Sequence, residues 1–299
     1  MAGDLRETRA AERVARLPIW KGAVSPARLA GGITNLNFRV SDAGEDFVVR
    51  VGDDIPVHHV LRFNEAAASR AACDAGISPE VVHTEPGIIV IRFVDGATLT
   101  ASDVREPARL GRIVALLARL HREMPRHLRG PLLMFWPFHV IRDYAHLLEE
   151  RGSRHAPKLS ALLAVAEELE MAVGPIELVF GHNDLLPANF IDDGKRIWLI
   201  DWDYAGWNSP LFDLANLASN AELDADSERQ MLATYYGRMP DAALMKSYTA
   251  MKCASLLRET LWGMVSEITS HLDFDYAAYA ADYLARFEHA DAERRRGAA

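Results

Sequence analysis

The sequence predicts an α+β protein of two lobes, a small strand-rich one followed by a larger helical one. Three observations carry this. Between about residues 20 and 93, apolar residues gather in short β-branched runs such as Phe47-Val-Val-Arg-Val51, divided by turn formers. Beyond residue 95 the apolar residues recur at helical spacing over long stretches, and strand signals are confined to about 178–201. The two patterns meet at Asp95-Gly96, so the expected domains are residues 1–94 and 95–299, with a ligand cleft at their junction.

Residues 4–17 read as a short amphipathic helix. Leu29–Val40 passes from a turn at Gly31-Gly32 into a strand, Ser41–Asp46 turns, and 47–51 returns, which makes a hairpin. Residues 57–75 form a helix with an alanine-rich face, stopped at Gly76. Val81-Val82 and Ile88–Phe93 are strands joined by Glu85-Pro86-Gly87. Helices are then expected over 106–123, 140–150, 157–173, 209–221, 224–236, 241–269 and 275–290.

Composition narrows the function. Of 299 residues 49% are hydrophobic and 25% charged, as in soluble globular proteins, and the net charge is −9. That balance argues against a nucleic-acid partner and is compatible with a small cationic substrate. Met1–Arg9 has no apolar core of a secretory signal, and no apolar run reaches membrane-spanning length, so a cytoplasmic protein with no membrane insertion is expected. Cys73 and Cys253, without C-x-x-C spacing, indicate neither a disulfide framework nor a zinc site.

The chemistry concentrates in Gly181-His-Asn-Asp-Leu-Leu-Pro-Ala-Asn-Phe190. An Asp-Gly turn at 192–195 lies between apolar runs and predicts a hairpin, whose open end sets Asn189 beside Asp201. A carboxylate and an amide oxygen held together are hard ligands suited to Mg²⁺. Asp184 lies five residues before Asn189, the spacing of the protein-kinase catalytic loop, in which the Asp accepts the substrate hydroxyl proton and the Asn binds Mg²⁺. Singly these are ordinary turn residues. Their joint spacing around a predicted hairpin makes a catalytic loop the better reading.

Gly181–Asn189, Ile200-Asp-Trp-Asp-Tyr-Ala-Gly206 and Phe212-Asp-Leu-Ala-Asn216 together resemble the choline/ethanolamine kinase family, which is related to aminoglycoside phosphotransferases and more distantly to protein kinases. The resemblance runs from Gly31 to about Phe287 and implies a bilobal kinase-like fold, ATP and Mg²⁺. It implies that Asp184 is the catalytic base, that Asn189 and Asp201 hold the metal, and that Gly31, Gly32, Thr34 and Asn35 cover the phosphates. Arg50 would replace the phosphate-pairing lysine, with Glu65 orienting it, and the segment at Phe93 would offer backbone groups to adenine. Asp213 would brace the catalytic loop from behind, and His121 reads as structural.

For the acceptor, the resemblance points to Leu261–Ser266 and Asp273–Tyr279, with Trp262 and Tyr279 as an aromatic wall and Asp203 and Tyr204 adding charge and a π-face. Aromatic faces and carboxylates are what a quaternary ammonium needs. Val265 stands where choline kinases often carry a second tryptophan, and Asn220 where eukaryotic members tend to carry an acid. The reading is therefore an ATP-dependent kinase of a small cationic amino alcohol, choline or ethanolamine first. Thiamine or aminoglycoside kinases, or a nucleotide-binding module without catalysis, are the alternatives.

Overall fold

The computed structural model describes residues 2–29 and 35–297. The N-terminal third is a five-stranded antiparallel sheet in the order β1-β2-β3-β5-β4, built from β1 (Ala27–Leu29), β2 (Leu36–Asp42), β3 (Glu45–Val51), β4 (Val81–Glu85) and β5 (Ile88–Arg92). Alternation on β3 sends Phe47 and Val49 to one face, where α1 (Ala2–Ala15) packs Ala10 and Val14 against them with Phe38, Val40 and Val90. The same alternation turns Arg50, opposite Ile89 of β5, to the other face.

Helix α2 (Arg62–Asp74) follows β3 and begins five residues later than the sequence pattern suggests. The cause is local. Ile55 and Val60 pair as an isolated bridge, Pro56–His58 form one 3₁₀ turn, and His59 takes a left-handed φ of 60°. The alanine face of α2 lies in the larger core of the helical region, with Val60, Ala68, Ala71 and Ala72 beside Val114 and Leu117.

That region comprises α3 (Ala101–Val104), α4 (Pro107–His127), α5 (Pro137–Glu150), α6 (Ala156–Val173), α7 (Pro210–Ala221), α8 (Ala225–Tyr236), α9 (Ala242–Thr269) and α10 (Tyr276–Gly297). Helix α9 is its axis and is buried on every side from Cys253 to Ser266, as an all-round apolar helix must be. At Gly263 a Cβ would come within 3.0 Å of the Tyr279 ring, so glycine is what lets α10 lie this close. Strands in this half are β6 (Ala97–Thr98), β7 (Val179–Gly181), β8 (Phe190–Asp192), β9 (Ile197–Leu199) and β10 (Gly206–Asn208). β6 and β10 extend the strand content beyond 178–201. They are two and three residues long, too short for a periodic signal, and pair only through distant partners, β6 with β8 and β10 with β7.

The 3₁₀ turn ties the two regions together. His58 is buried with Nδ1 3.1 Å from the Tyr144 hydroxyl of α5 and Nε2 3.1 Å from the Ser266 hydroxyl of α9. Burial, with Arg258 and His59 adding repulsion, lowers its pKa to about 3. The unfolded chain takes up that proton near pH 6.5 and the folded one refuses it, so stability falls as pH drops from 6.5 towards 3. His58→Gln keeps the polar bonds without the titration. Wild type should lose about 2 kcal/mol more unfolding free energy than this variant between pH 7.5 and pH 5 in denaturant melts. An equal loss in both would rule His58 out as the source.

Candidate active site

The loop after β7 is held by buried acceptors rather than by regular structure. Asp213, in the first turn of α7, accepts the backbone N–H groups of His182 at 2.9 Å and Asn183 at 2.7 Å. His121 of α4 donates Nε2–H to the same carboxylate at 2.9 Å. Burial alone would push Asp213 up, but the hydrogen bonds from His121 and from the loop hold its pKa below the usual value, so it stays ionised. This close approach requires Gly181, where a Cβ would sit 3.0 Å from Asp213 Oδ2. Asn183 has a φ of 65°, a conformation asparagine tolerates, and its side-chain amide reaches the carbonyls of Tyr204 and Gly206.

His182 is a neutral imidazole. Burial lowers its pKa, its Nε2–H donates to the Ile200 carbonyl at 2.9 Å, and its Nδ1 accepts the Asp184 N–H at 3.3 Å. Leu185 N–H is taken by Asn216 Oδ1 at 2.5 Å. The Asp184 side chain is thereby left at the loop's tip. Desolvation raises its pKa well above the carboxylate norm, Arg258 opposes this, and Glu259, Asp201 and Asp203 add to it.

Phe190 pairs with Leu199, and Ile200 N–H donates to the Asn189 carbonyl at 3.0 Å, so Asn189 and Asp201 leave one hairpin end together. Asn189 Nδ2 donates to the Asp184 carbonyl at 2.8 Å, which leaves its Oδ1 as the acceptor for a cation. Asp201 has a φ of 71°, and its Oδ1 is buried with no hydrogen-bond partner among the described residues. An orphaned carboxylate oxygen beside an amide oxygen fits a small hard cation.

Opposite this hairpin lies an alternating cluster of charge. Arg50 pairs with Glu65 at 2.7 Å, Asp201 at 2.5 Å and Asp203 at 3.3 Å. Arg62 pairs with Glu65 at 2.5 Å and with Asp203 at 2.7 Å. Burial works against the charge of Arg50, but Asp201, Asp203 and Glu65 outweigh it and raise its pKa. Glu65 is thus a buried partner of the strand arginine. Asp203, expected on the acceptor side, faces these arginines and accepts from Asn35 Nδ2 at 3.1 Å. Like Glu65, it bridges both guanidinium groups, and these two ion pairs keep it on the arginine side. The Phe93 N–H is taken by the Asp46 carbonyl at 2.9 Å, so that amide is engaged in extending the β3–β5 pairing. Gly31, Gly32 and Thr34 lie outside the described residues.

On the other side of Asp184, Trp262 and Tyr279 stack edge-on at 5.5 Å, and Trp262 Nε1–H donates to the Tyr204 hydroxyl at 2.9 Å. The Tyr279 hydroxyl donates to Glu259 Oε1 at 2.6 Å. Tyr276 and His58 lie against the same indole. Sequence reading missed Arg62, His58, Arg258 and Glu259. For the last two a signal existed: adjacent opposite charges inside the apolar run Ala254–Val265, where a charge is retained only if paired.

Comparison with known proteins bears on this arrangement. The family model described as phosphotransferase enzyme family, APH, matches residues 26–248. The chain belongs to that family. The phosphotransferase is 27% identical over 265 residues to Protein LicA of Haemophilus influenzae, an alignment covering 85% of this chain and 76% of LicA. It superposes with a TM-score of 0.78 at 29% identity on a choline/ethanolamine kinase family protein from Mesorhizobium loti, covering 95% and 94% of the two chains. It also shares its fold with a LicA structure in complex with AMP, at a TM-score of 0.76, 22% identity and 97% and 99% coverage. No helix among its described residues is long and apolar enough to cross a membrane.

The brace gives a direct test. Asp213→Ala strands two buried N–H groups, each at about 1–3 kcal/mol, and should lower the melting temperature and abolish turnover together. Asp213→Asn keeps one acceptor oxygen and should lose less in a thermal melt. Equal melting of Asp213→Ala and wild type would contradict the brace.

Proposed function

We propose that the protein is an ATP-dependent, Mg²⁺-requiring kinase that phosphorylates the hydroxyl of a small amino alcohol, with choline and ethanolamine the leading acceptors. The observation that carries this is the joint placement of Asp184, Asn189 and Asp201 on one hairpin-linked loop facing Arg50. In this reading residues 1–94 present the nucleotide and residues 95–299 the acceptor. Bound Mg²⁺ would be held by Asn189 Oδ1 and Asp201 and would neutralise charge on the phosphate oxygens. Arg50, oriented by Glu65 and held charged among its carboxylates, gives a planar fork for the β- and γ-phosphates, and Asn35 would cover them.

Asp184 orients the acceptor hydroxyl and takes its proton as the acceptor oxygen bonds to the γ-phosphorus. The bond from that phosphorus to the β-bridging oxygen breaks, and ADP leaves with the electron pair. An acceptor ammonium would lie against Trp262, Tyr204 and Tyr279, with Glu259 supplying the negative charge. Positioning and charge complementarity carry the rate.

Asp184→Asn and Asp201→Asn should each lower kcat by about three orders of magnitude or more while the protein stays folded. Near wild-type turnover in either would remove that residue from its role. A coupled ADP-release assay with choline, ethanolamine, thiamine and an aminoglycoside should give the highest kcat/KM with one of the first two. Preference for thiamine or the aminoglycoside would move the acceptor class. Mg·ATP binding with no transfer to any of the four would turn the reading to a nucleotide-binding module.

A further inference from the structure

Arg258 is among the largest fully buried side chains, with 1% of its surface exposed, and it sits on the helix that carries Trp262. Its guanidinium lies over the rings of Phe135 at 5.4 Å and Tyr204 at 5.3 Å. Nη1 pairs with Glu259 Oε2 at 2.8 Å, and Nη2–H donates to the Asn183 carbonyl at 3.2 Å. Asn183 is the left-handed residue immediately before Asp184. The other carboxylate oxygen of Glu259 accepts from the Tyr279 hydroxyl. A continuous polar chain therefore runs from the aromatic wall to the catalytic loop: Tyr279, Glu259, Arg258, Asn183, Asp184.

A buried arginine is a costly way to fill space, since a hydrophobic residue of similar volume is often neutral or stabilising in place of a buried ion pair. Fold stability alone does not call for it. A lysine would not serve equally, because only a planar fork can lie on two rings and direct separate donors to a carboxylate and a carbonyl. Asp213 holds the loop through N–H groups of His182 and Asn183, and Arg258 holds it through a carbonyl, so the peptide leading into Asp184 is fixed from both sides.

We propose that Arg258 is a positioning residue for phosphoryl transfer, which couples the acceptor wall at Tyr279 and Glu259 to the orientation of Asp184. This rests on the kinase reading above and adds a residue to it. Arg258 touches neither nucleotide nor acceptor. It sets where the Asp184 carboxylate points, and a displacement of about 1 Å there is enough to cost about a hundredfold in rate.

The test separates positioning from stability. Arg258→Met alone leaves the Glu259 charge buried and unpaired and is expected to destabilise the fold. The double variant Arg258→Met/Glu259→Gln removes both charges and should melt within a few degrees of wild type. With the acceptor that wild type turns over best, its kcat should be lower by about a hundredfold than that of Glu259→Gln alone, which carries any loss of acceptor charge, with KM for ATP within about twofold. Arg258→Lys, able to serve one partner at a time, should fall between. A double variant that regains wild-type kcat along with its melting temperature would overturn the proposal, leaving Arg258 a purely structural group. A second readout needs no turnover. Backbone amide exchange at Asn183–Leu185 should quicken at least about tenfold in the double variant, and unchanged exchange would equally overturn the assignment. A wild type inactive on every acceptor would sink the kinase reading instead, and amide exchange would then decide Arg258 by itself.

Discussion

Four side chains in alternating charge, Arg50, Glu65, Arg62 and Asp203, hold the site together. They come from β3, the first turn of α2, and the loop after β9, so no single element can shift without separating opposite charges out of water. The arrangement meets the condition under which buried ions are tolerable, each carboxylate lying between two guanidinium groups. Asp201 extends the cluster by one member and is the one carboxylate in it with an oxygen left over. The surplus negative charge of the cluster thus lies at Asp201, which leaves the same hairpin end as Asn189.

The loop after β7 is held by buried acceptors in the same way, one of them the ionised Asp213. Asp213, Asn216 and the His182 ring satisfy one loop N–H after another, and the Asn183 amide reaches across to β10 and its flank. Because Asp213 and Asn216 sit on α7, the loop after β7 can carry a left-handed non-glycine residue at Asn183, next to Asp184, and a second such position, Asp201, follows β9. Local strain of that kind persists only where surrounding bonds over-determine it.

Much of this is legible in the sequence, and the reason is distance along the chain. Asp184 to Asn189 spans five residues, and Asn189 to Asp201 spans one hairpin with a strong Asp-Gly turn, so local rules suffice. The β2–β3 hairpin and long helices such as α4 and α9 follow for the same reason. Arg62 is not legible as a site residue, since its meaning lies in Asp203, 141 positions away. Nor does local pattern tell that Asp203 serves the arginines while its neighbour Tyr204 faces Trp262, a difference made by one peptide's turn. The late start of α2 belongs to the same class, decided by a two-residue bridge and a proline that helical periodicity does not register.

The alanine face of α2 lies in the core of the helical region, whereas Arg50 belongs to the sheet packed on α1. The Arg50–Glu65 pair therefore spans a seam between two separately cored bodies. Rocking the sheet away from the helices would stretch that pair together with the pairs of Arg50 to Asp201 and Asp203, while Glu65 and Arg62 travelled with the helical side. The distance between the two bodies and the pairing of the Arg50 guanidinium would then be one mechanical variable, with no moving helix needed to link them.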